Sequence, residues 1–335
     1  MSHRHPRAVV LAVLALTVLA TACAGPVGSA APEARGEAGC VPGAPKRVAA
    51  HVECRTVTVD GFPREFIVYR PAKLTEPAPV VFMFHGSTGT GAQFLRSSGW
   101  REEADRRGFI AVFPQGLDYL VLESGRRSSK WNDFSLAAEV DLAKRPAGYP
   151  ADAPWPADDI GFTRRMIDDL STAYPVDQGR IYASGFSNGA GFAGRIAVEL
   201  SDRVAAVAAS GGWPTQRHAP VRAILAWLTV GNEDDRMLER LGTPPPATVP
   251  MVPAEILTNP VLATFLDAQL ATWGLAGPPV ATVAPERTTL TWTGGASFRF
   301  DVLRGLPHSY PDGADNDAGF VAAAEFWQFF ATHAR

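Results

Sequence analysis

The sequence predicts an α/β fold with a mostly parallel central sheet and helices on both faces of that sheet. Short apolar runs of strand length recur at 66–70, 79–84, 109–113, 180–183, 204–209, 223–230 and 298–303. Helical patterns separate most of these runs. Strands that are apolar along their whole length are typical of a parallel sheet that is buried on both faces.

Length, charge and histidine spacing limit the range of functions. The chain has 335 residues and a formal net charge of −3, and its sequence shows no concentrated basic patch, so we expect no nucleic-acid partner. Residues 51–335 are enough for one large domain with a single core. The histidines are dispersed and no cysteine pair has ligand spacing, so we expect no metal and no cofactor. The oligomeric state stays open.

The first 22 residues have the layout of an export signal. Basic residues lie within 1–7, and an apolar run follows at 8–20. About 20 apolar residues are needed to cross a bilayer, so a cleaved signal fits this run better than a permanent span. Residues 19–23 resemble a bacterial lipobox, in which Cys23 would carry the lipid. Because Ala20 stands where a larger aliphatic residue is usual, ordinary secretion is the alternative to an anchor on the outer face of the membrane.

Residues 23–50 predict a flexible tether, because they are rich in alanine, proline, glycine and charge and contain almost no large apolar residue. If Cys23 carries lipid, Cys40 and Cys54 remain. An oxidising compartment outside the cell favours a disulfide between these two cysteines. Two buried thiols are the alternative.

Three helices and one long loop can be predicted from apolar spacing. A one-face pattern follows Asp158 and Asp159 as far as residue 174, and these carboxylates are expected to cap the helix. Similar segments run through 94–107 and 318–331. By contrast, residues 241–260 are proline-rich and aperiodic, which predicts a loop over one end of the sheet.

The strongest chemical signal is Gly-Phe-Ser-Asn-Gly at positions 185–189, between the strand at 180–183 and a helical run at 190–200. A sharp strand-to-helix turn forces its serine into a strained backbone conformation, and small flanking residues prevent a clash. Such a turn exposes the hydroxyl of Ser187 at a helix N-terminus, where negative charge is favoured. Ser187 is the predicted nucleophile, and a glycine-rich packing turn is the alternative.

A serine hydroxyl needs a base and a partner that orients the base. In the α/β-hydrolase fold, which this motif indicates, the nucleophile comes first in the chain, then the acid and finally the histidine. His308 follows the predicted strand at 298–303 and fits this order. The acid is expected after the strand at 223–230, where we choose Asp234, with Asp235 and Glu233 as the other candidates.

Ester or amide cleavage also needs hydrogen-bond donors for the oxygen that becomes negative. The backbone amide of Asn188, which follows the nucleophile, is one predicted donor. The second is expected in the His-Gly-Ser turn at 85–87, where we choose the amide of Ser87 with Gly86 as the alternative. His85 is then predicted to be a scaffold for the turn rather than a base.

Two tryptophans are candidates for contacts with substrate. Trp213 follows the strand after the nucleophile helix, and Trp131 precedes Asn-Asp at 132–133. Either ring could form a platform for an aromatic or polymeric acyl group. Burial in the core is an equally good interpretation, because tryptophan is highly buried on average.

Together these blocks resemble the bacterial esterases grouped as polyhydroxybutyrate depolymerases and feruloyl or acetylxylan esterases. The resemblance rests on the blocks at 85–86, 99–116, 131–133, 158–162, 185–189 and 291–293, and on His308. Some members of this group are actinobacterial lipoproteins. The resemblance implies an exported serine carboxylic-ester hydrolase whose substrate is a polyester or a feruloyl or acetyl ester.

The chain also departs from that group. Leu306 and Pro307 precede the histidine where a glycine-rich run is usual, and the segment 236–260 is longer than the usual loop. The acyl pocket can therefore differ. A serine peptidase of the same fold and a noncatalytic, surface-anchored binding protein are the alternative functions.

Overall fold

The structure is a computed structural model that describes residues 46–215, 217–242 and 247–335. All of these lie in the compact unit Glu37–Arg335. The predicted signal, the lipidation site Cys23 and the disulfide partner Cys40 lie outside the described residues, and Cys54 is buried. Within the described residues, no helix combines the length and the apolar character needed to cross a membrane.

The described residues contain an eleven-stranded sheet with the order β1-β2-β3-β5-β4-β8-β9-β10-β13-β12-β11. Its strands are β1 Lys46–Ala49, β2 Val52–Val59, β3 Phe62–Tyr69, β4 Ala78–Phe84, β5 Ile110–Pro114, β8 Val176–Phe186, β9 Ala206–Ser210, β10 Leu225–Gly231, β11 Val280–Val283, β12 Arg287–Thr293 and β13 Ser297–Leu303. A separate hairpin pairs β6 Leu117–Leu120 with β7 Arg127–Lys130.

Helices cover both faces of the sheet, as predicted. They are α1 Gly91–Ser97, α2 Trp100–Arg107, α3 Leu136–Glu139, α4 Asp159–Ala173, α5 Asn188–Glu199, α6 Asp235–Leu241, α7 Pro253–Thr258, α8 Pro260–Trp273 and α9 Ala322–Ala331. Side chains of α4, α5 and α8 join the core on one face, and side chains of α1, α2 and α9 join the core on the other. Consecutive residues of β4 contribute to the two cores alternately, which explains why that strand is apolar throughout.

The predicted parallel strands form the centre of the sheet. Strands β5, β4, β8, β9, β10 and β13 run parallel, and antiparallel strands flank them on both sides. The flanking strands β2 and β12 alternate polar and apolar residues, so their patterns are weaker than those of the buried centre. Strand β1 pairs with β2, so the last part of the predicted tether is in fact part of the sheet.

The predicted helical segment 94–107 is two helices, α1 and α2. They are separated at Gly99, whose backbone is left-handed with φ of 75°. That conformation is open to glycine at little cost and cannot continue a right-handed helix. The apolar spacing continues across the break because Phe94 and Trp100 pack into the same core.

The prediction of a loop over 241–260 was wrong for its second half. Helix α7 occupies 253–258, and α8 begins at Pro260. Each helix has its proline in the first turn, where the missing amide hydrogen costs no hydrogen bond. The side chain of Asn259 caps α8 by accepting hydrogen bonds from the amides of Val261 and Leu262. Pro253 and Pro260, two of the prolines that indicated a loop, therefore mark helix starts.

The two carboxylates at the start of α4 have different roles. Asp158 caps the helix, since its side chain accepts a hydrogen bond from the amide of Gly161. Asp159 instead forms a fully buried ion pair with Arg64, with 2.6 Å between Oδ1 and Nη2. Its other oxygen accepts a hydrogen bond from the amide of Asn132 at 2.6 Å. The guanidinium of Arg64 also lies over the ring of Phe162.

Replacing Arg64 with methionine should lower the free energy of unfolding by about 3–5 kcal/mol, because it leaves the Asp159 carboxylate buried without its cation. Urea denaturation measures the change. Arg101→Met is the matched control, because the Arg101 pair with Glu102 is exposed and its loss should cost less than about 1 kcal/mol. Equal losses in the two variants would contradict the importance of the buried pair.

Candidate active site

Four loops meet at the carboxyl ends of the central parallel strands. Strand β4 leads into 85–89, β8 into Ser187, β10 into 232–234 and β13 into 304–308. Phe84 pairs with Gly185 in the sheet, and Gly231 pairs with Leu303, so these strands end at the same edge. The sheet therefore brings together residues that are more than 200 positions apart in sequence.

The structure places the three predicted triad residues within hydrogen-bond distance of each other. His308 Nε2 lies 2.9 Å from Ser187 Oγ, and His308 Nδ1 lies 3.0 Å from each carboxylate oxygen of Asp234. The Asp234 side chain is almost fully buried, whereas the imidazole keeps 18% of its surface exposed. A carboxylate on Nδ1 holds the proton on that nitrogen and leaves Nε2 free to accept a proton from the serine.

The backbone at Ser187 has the strained conformation that the motif predicts. Its φ is 54° and its ψ is −121°, a region that side-chain-bearing residues rarely occupy. A Cβ atom on Gly185 would clash with the carbonyl of Gly189, and a Cβ on Gly189 would clash with the carbonyl of Phe84. Gly185 is therefore required by close packing within the turn, and Gly189 by close packing of the turn against the end of β4.

Asp234 is the carboxylate that contacts the histidine. Its Oδ1 also accepts a hydrogen bond from the amide of Met237 at 3.0 Å, so Asp234 is the N-cap of α6 and its side chain is held on both sides. The side chains of Glu233 and Asp235 are exposed. Asp234, Asp235 and His308 each have a possible metal-ligand atom, and these three atoms lie within 4.8 Å of one another. Two of the three residues, Asp234 and His308, are already hydrogen-bonded to each other.

Asn232 joins the loop of the acid to the loop of the histidine, and no sequence motif indicates this role. Its backbone amide donates to the carbonyl of Leu303 at 2.8 Å, and its side-chain oxygen accepts from the amide of Gly305 at 2.7 Å. The amide of Glu233 donates to the carbonyl of Leu306. An asparagine after a strand is common in turns, so no motif separates this residue from an ordinary turn residue.

The two predicted oxyanion donors, the amides of Ser87 and Asn188, lie on different loops next to Ser187. A Cβ atom on Gly86 would lie 3.2 Å from the Ser187 Cβ, so this loop packs directly against the serine. The amides of Thr88 and Gly89 donate to the carbonyls of Ser129 and Gly86. Within the described part of the chain, no backbone or side-chain acceptor takes up the amide of Ser87 or that of Asn188. Both amides therefore stay available for a substrate oxygen.

His85 is a buried scaffold for the oxyanion loop. Its Nε2 accepts a hydrogen bond from the amide of Gly116 at 3.0 Å, so the ring proton is on Nδ1, which donates to the carbonyl of Gly86 at 2.8 Å. Burial lowers the pKa of His85 from 6.5 to about 4. The ring is thus neutral near neutral pH and is fully occupied by backbone groups, which excludes a role as the base.

Trp131 is not a platform for substrate, which corrects the sequence-based candidate. Its ring has no exposed surface, stacks on Phe192 and donates from Nε1 to the carbonyl of His85 at 2.9 Å. Its backbone amide donates to the side-chain oxygen of Asn188 at 2.7 Å. Trp131 therefore links the loops that carry the two oxyanion amides.

Trp213 is also buried, with 5% of its surface exposed, and its Nε1 donates to the side-chain oxygen of Gln269 on α8. The exposed aromatic ring in this region belongs to Phe134, which stacks on His218 with 3.6 Å between ring centroids. Phe134 follows Asp133, whose carboxylate contacts the side chain of Asn188. The sequence did not single out Phe134, because an isolated exposed phenylalanine has no pattern.

The chain has the α/β-hydrolase fold, with a Ser-His-Asp arrangement at the carboxyl ends of its parallel strands. Two solved structures share this fold at 15% sequence identity and a TM-score of 0.51. They are an acetyl xylan esterase from Aspergillus awamori, covering 83% of this chain and 98% of that one, and an S-formylglutathione hydrolase from Agrobacterium tumefaciens, covering 87% and 99%.

Three sequence relatives of the chain are named as esterases or as a polyester depolymerase. The chain is 30% identical over 227 residues to "Putative esterase NocK" of Nocardia uniformis subsp. tsuyamanensis, covering 62% of this chain and 58% of that protein. It is 29% identical to feruloyl esterase B of Piromyces equi, over 44% of this chain and 24% of the relative. It is 27% identical to poly(3-hydroxyalkanoate) depolymerase C of Paucimonas lemoignei, over 43% and 30%.

These similarities confirm the resemblance to the depolymerase and feruloyl or acetylxylan esterase group. The matched region spans less than two thirds of each of these relatives. No family model matches the chain.

The free energy of unfolding should fall as the pH is lowered below the pKa that His85 has in the unfolded chain. In that pH range His85 is protonated in the unfolded chain but stays neutral in the folded protein. The pKa of His85 is about 4 in the folded protein and 6.5 without burial, so the unfolded state binds more protons between these values. Between about pH 7 and pH 4.5 this single group should remove about 2–3 kcal/mol of stability.

Urea denaturation at several pH values tests this for the wild type and for His85→Asn, which keeps a donor for the Gly86 carbonyl. The variant should lose less stability than the wild type over the same pH range. His51→Asn, at an exposed histidine, is the control and should keep the wild-type pH dependence. Parallel curves for wild type and His85→Asn would show that His85 does not carry the effect.

Proposed function

We propose that the protein is a serine carboxylic-ester hydrolase that works through an acyl-enzyme on Ser187. The observation that carries the proposal is the unbroken hydrogen-bonded chain from the Asp234 carboxylate through His308 to the Ser187 hydroxyl. The names of the sequence relatives, which are esterases and a polyester depolymerase, support ester substrates for this chain.

The geometry supports a two-step reaction. Ser187 Oγ attacks the ester carbonyl carbon while His308 Nε2 takes the hydroxyl proton, and the carbonyl oxygen becomes negative. The amides of Ser87 and Asn188 would bind that oxygen, and Asp234 would stabilise the imidazolium. The imidazolium then donates its proton to the leaving alcohol oxygen as the carbon–oxygen bond breaks, which leaves the acyl group on Ser187.

Water completes the cycle by the same proton transfers. His308 Nε2 takes a proton from water, and the resulting hydroxide attacks the acyl carbon. The second tetrahedral intermediate collapses when the imidazolium returns the proton to Ser187 Oγ, which releases the carboxylic acid. His308 is partly exposed, so water can reach it without a large movement of the protein.

The substrate class we propose is a polyester or a feruloyl or acetyl ester. The named functions of the relatives support these three types of ester. Since the rings of Trp131 and Trp213 are buried, an aromatic or polymeric acyl group would have to use other surfaces. Phe134 is exposed, and its neighbour Asp133 contacts Asn188, so its ring is a candidate for that contact.

Ser187→Ala should abolish turnover, by at least about 10⁵-fold in kcat, and Asp234→Asn should lower kcat by on the order of 10³–10⁴-fold because the imidazole loses its orienting carboxylate. Initial rates on p-nitrophenyl esters of increasing chain length, methyl ferulate and acetylated xylan measure both effects. Glu233→Gln is the matched control, since that carboxylate is exposed and should change the rate by less than about twofold.

Aminoacyl anilides in the same assay separate esterase from peptidase activity. Covalent labelling of Ser187 by an organophosphonate shows whether the serine is nucleophilic. A folded protein that resists the label and turns over none of these esters would overturn the proposed function. Binding to a polymer that Ser187→Ala leaves intact, without turnover, would favour a noncatalytic binding protein instead.

We also propose that the protein is exported and anchored through lipid on Cys23. The support is the sequence of the first 23 residues, with their basic start, apolar run and lipobox-like end. The anchor would place an ester hydrolase on the outer face of the membrane, where polymeric substrates that cannot enter a cell are accessible.

Cys23→Ser should abolish incorporation of a fatty-acid label, because the side chain that would carry the lipid is replaced. Immunoblots of membrane and medium fractions measure the distribution, with metabolic labelling by a fatty acid as a direct readout. Cys54→Ser is the control for loss of a cysteine outside the lipobox and should leave the lipid label in place. If Cys23→Ser and the wild type are released equally, the anchor is refuted and secretion is favoured.

A further inference from the structure

The hairpin β6–β7 runs alongside the oxyanion loop and binds it at successive residues. The amide of Thr88 donates to the carbonyl of Ser129 at 3.0 Å, and the hydroxyl of Ser129 donates to the carbonyl of Gly89. Next along β7, Lys130 Nζ donates to the hydroxyl oxygen of Ser87 at 3.2 Å. Each of the residues 87–89 is therefore held by β7.

The oxyanion loop needs this support because its conformation is unfavourable by itself. Thr88 has φ of 66°, a left-handed conformation that is a genuine outlier for a β-branched residue. Such a residue keeps its conformation only when its surroundings impose it. The amide of the preceding residue, Ser87, is the predicted second oxyanion donor, so its direction depends on how firmly the loop is held.

Lys130 is unusual because it is buried, with 7% of its surface exposed, beside this loop. A buried ammonium is costly unless it is paired and hydrogen-bonded. Glu139 provides the pair, with 2.6 Å between Oε2 and Lys130 Nζ, and Ser135 Oγ donates to the other oxygen of that carboxylate at 2.7 Å. Burial acts to raise the pKa of Glu139, but the hydrogen bonds from Lys130 and Ser135 outweigh it and lower the pKa, so Glu139 is a carboxylate.

The ammonium has three N–H groups, and the structure gives two of them fixed acceptors, Glu139 and Ser87. The side chain of Glu139 is 40% exposed, so Lys130 could pair with Glu139 at the surface and have its charge neutralised there. The long side chain of Lys130 instead stays in the interior and reaches the oxyanion loop. The energetic cost of this burial indicates that the contact with Ser87 has a function beyond charge neutralisation.

We infer that Lys130 is a positioning residue for the acyl transfer: held by Glu139, it binds the Ser87 hydroxyl and so directs the Ser87 amide toward the oxygen that becomes negative. This inference rests on the proposed function. Lys130 itself does not contact the reacting atoms, and it acts only through Ser87.

A double-mutant cycle on the full chain tests this pathway. The variants are Lys130→Met, Ser87→Ala and the combination of both, and kcat and KM are measured on one p-nitrophenyl ester. A mutation that misplaces a catalytic group by about 1 Å can lower the rate by on the order of 100-fold. Each single change should therefore lower kcat by about 10-fold or more with little change in KM, and the double change should cost no more than the larger single change.

A second readout follows the transition state directly. An alkyl boronic acid forms a tetrahedral anion on the nucleophilic serine, so its inhibition constant should rise in both single variants by the same factor as kcat falls. Glu139→Gln leaves Lys130 in place but loosens its anchor, and it should give a smaller decrease in kcat in the same direction. Because Glu139 is partly exposed, this variant also covers the case in which Lys130→Met does not fold.

Arg203→Met is the matched control, since it removes a cation from the Asp168 pair on another part of the surface and should leave kcat unchanged. The inference would be overturned if Lys130→Met kept the wild-type rate, or if the losses in kcat added up in the double variant. In either case the wild type would still be an active esterase that the phosphonate labels. Failure of the proposed function itself looks different, because the wild type would then show neither turnover nor labelling.

Discussion

The active site depends on one constraint, the close packing of the turn that carries Ser187 against the end of β4. The serine backbone is in a strained region. The turn can approach β4 because a glycine stands at position 189, and Gly185 allows the turn itself to close. This packing fixes the direction of the hydroxyl. It also brings the loop after β4 against Ser187, so the predicted oxyanion donors Ser87 and Asn188 lie on neighbouring loops.

The remaining groups are held in place by buried polar contacts rather than by packing alone. Asn232 joins the loop of the acid to the loop of the histidine, and Trp131 joins the two loops that carry the predicted oxyanion donors. Asp159 pairs with Arg64 and also binds the amide of Asn132. Such groups have little freedom to reorient, so the site is preorganised before substrate binds, which is the condition under which fixed dipoles stabilise a developing charge.

The sequence predicted the parallel centre of the sheet and the triad candidates because both have short-range signals. Continuous apolar runs identify buried strands, and the glycine-flanked serine and the order of acid and histidine identify the loops.

The flanking strands β1, β2, β11 and β12 lack such runs. Helix α7 was missed because prolines indicate both loops and helix starts. The roles of Asn232 and Lys130 depend on contacts between loops far apart in sequence, and no local pattern encodes them. For Trp131 and Trp213, the sequence could not separate burial from exposure.

The strained turn has a consequence for how this protein tolerates sequence change. Backbone strain of this kind typically costs about 1–3 kcal/mol, out of a total stability of about 5–15 kcal/mol for a protein domain. A substitution that relaxed the turn would stabilise the fold and disable the serine at once. Selection for stability alone would thus act against the nucleophile, and the turn persists only under selection for chemistry.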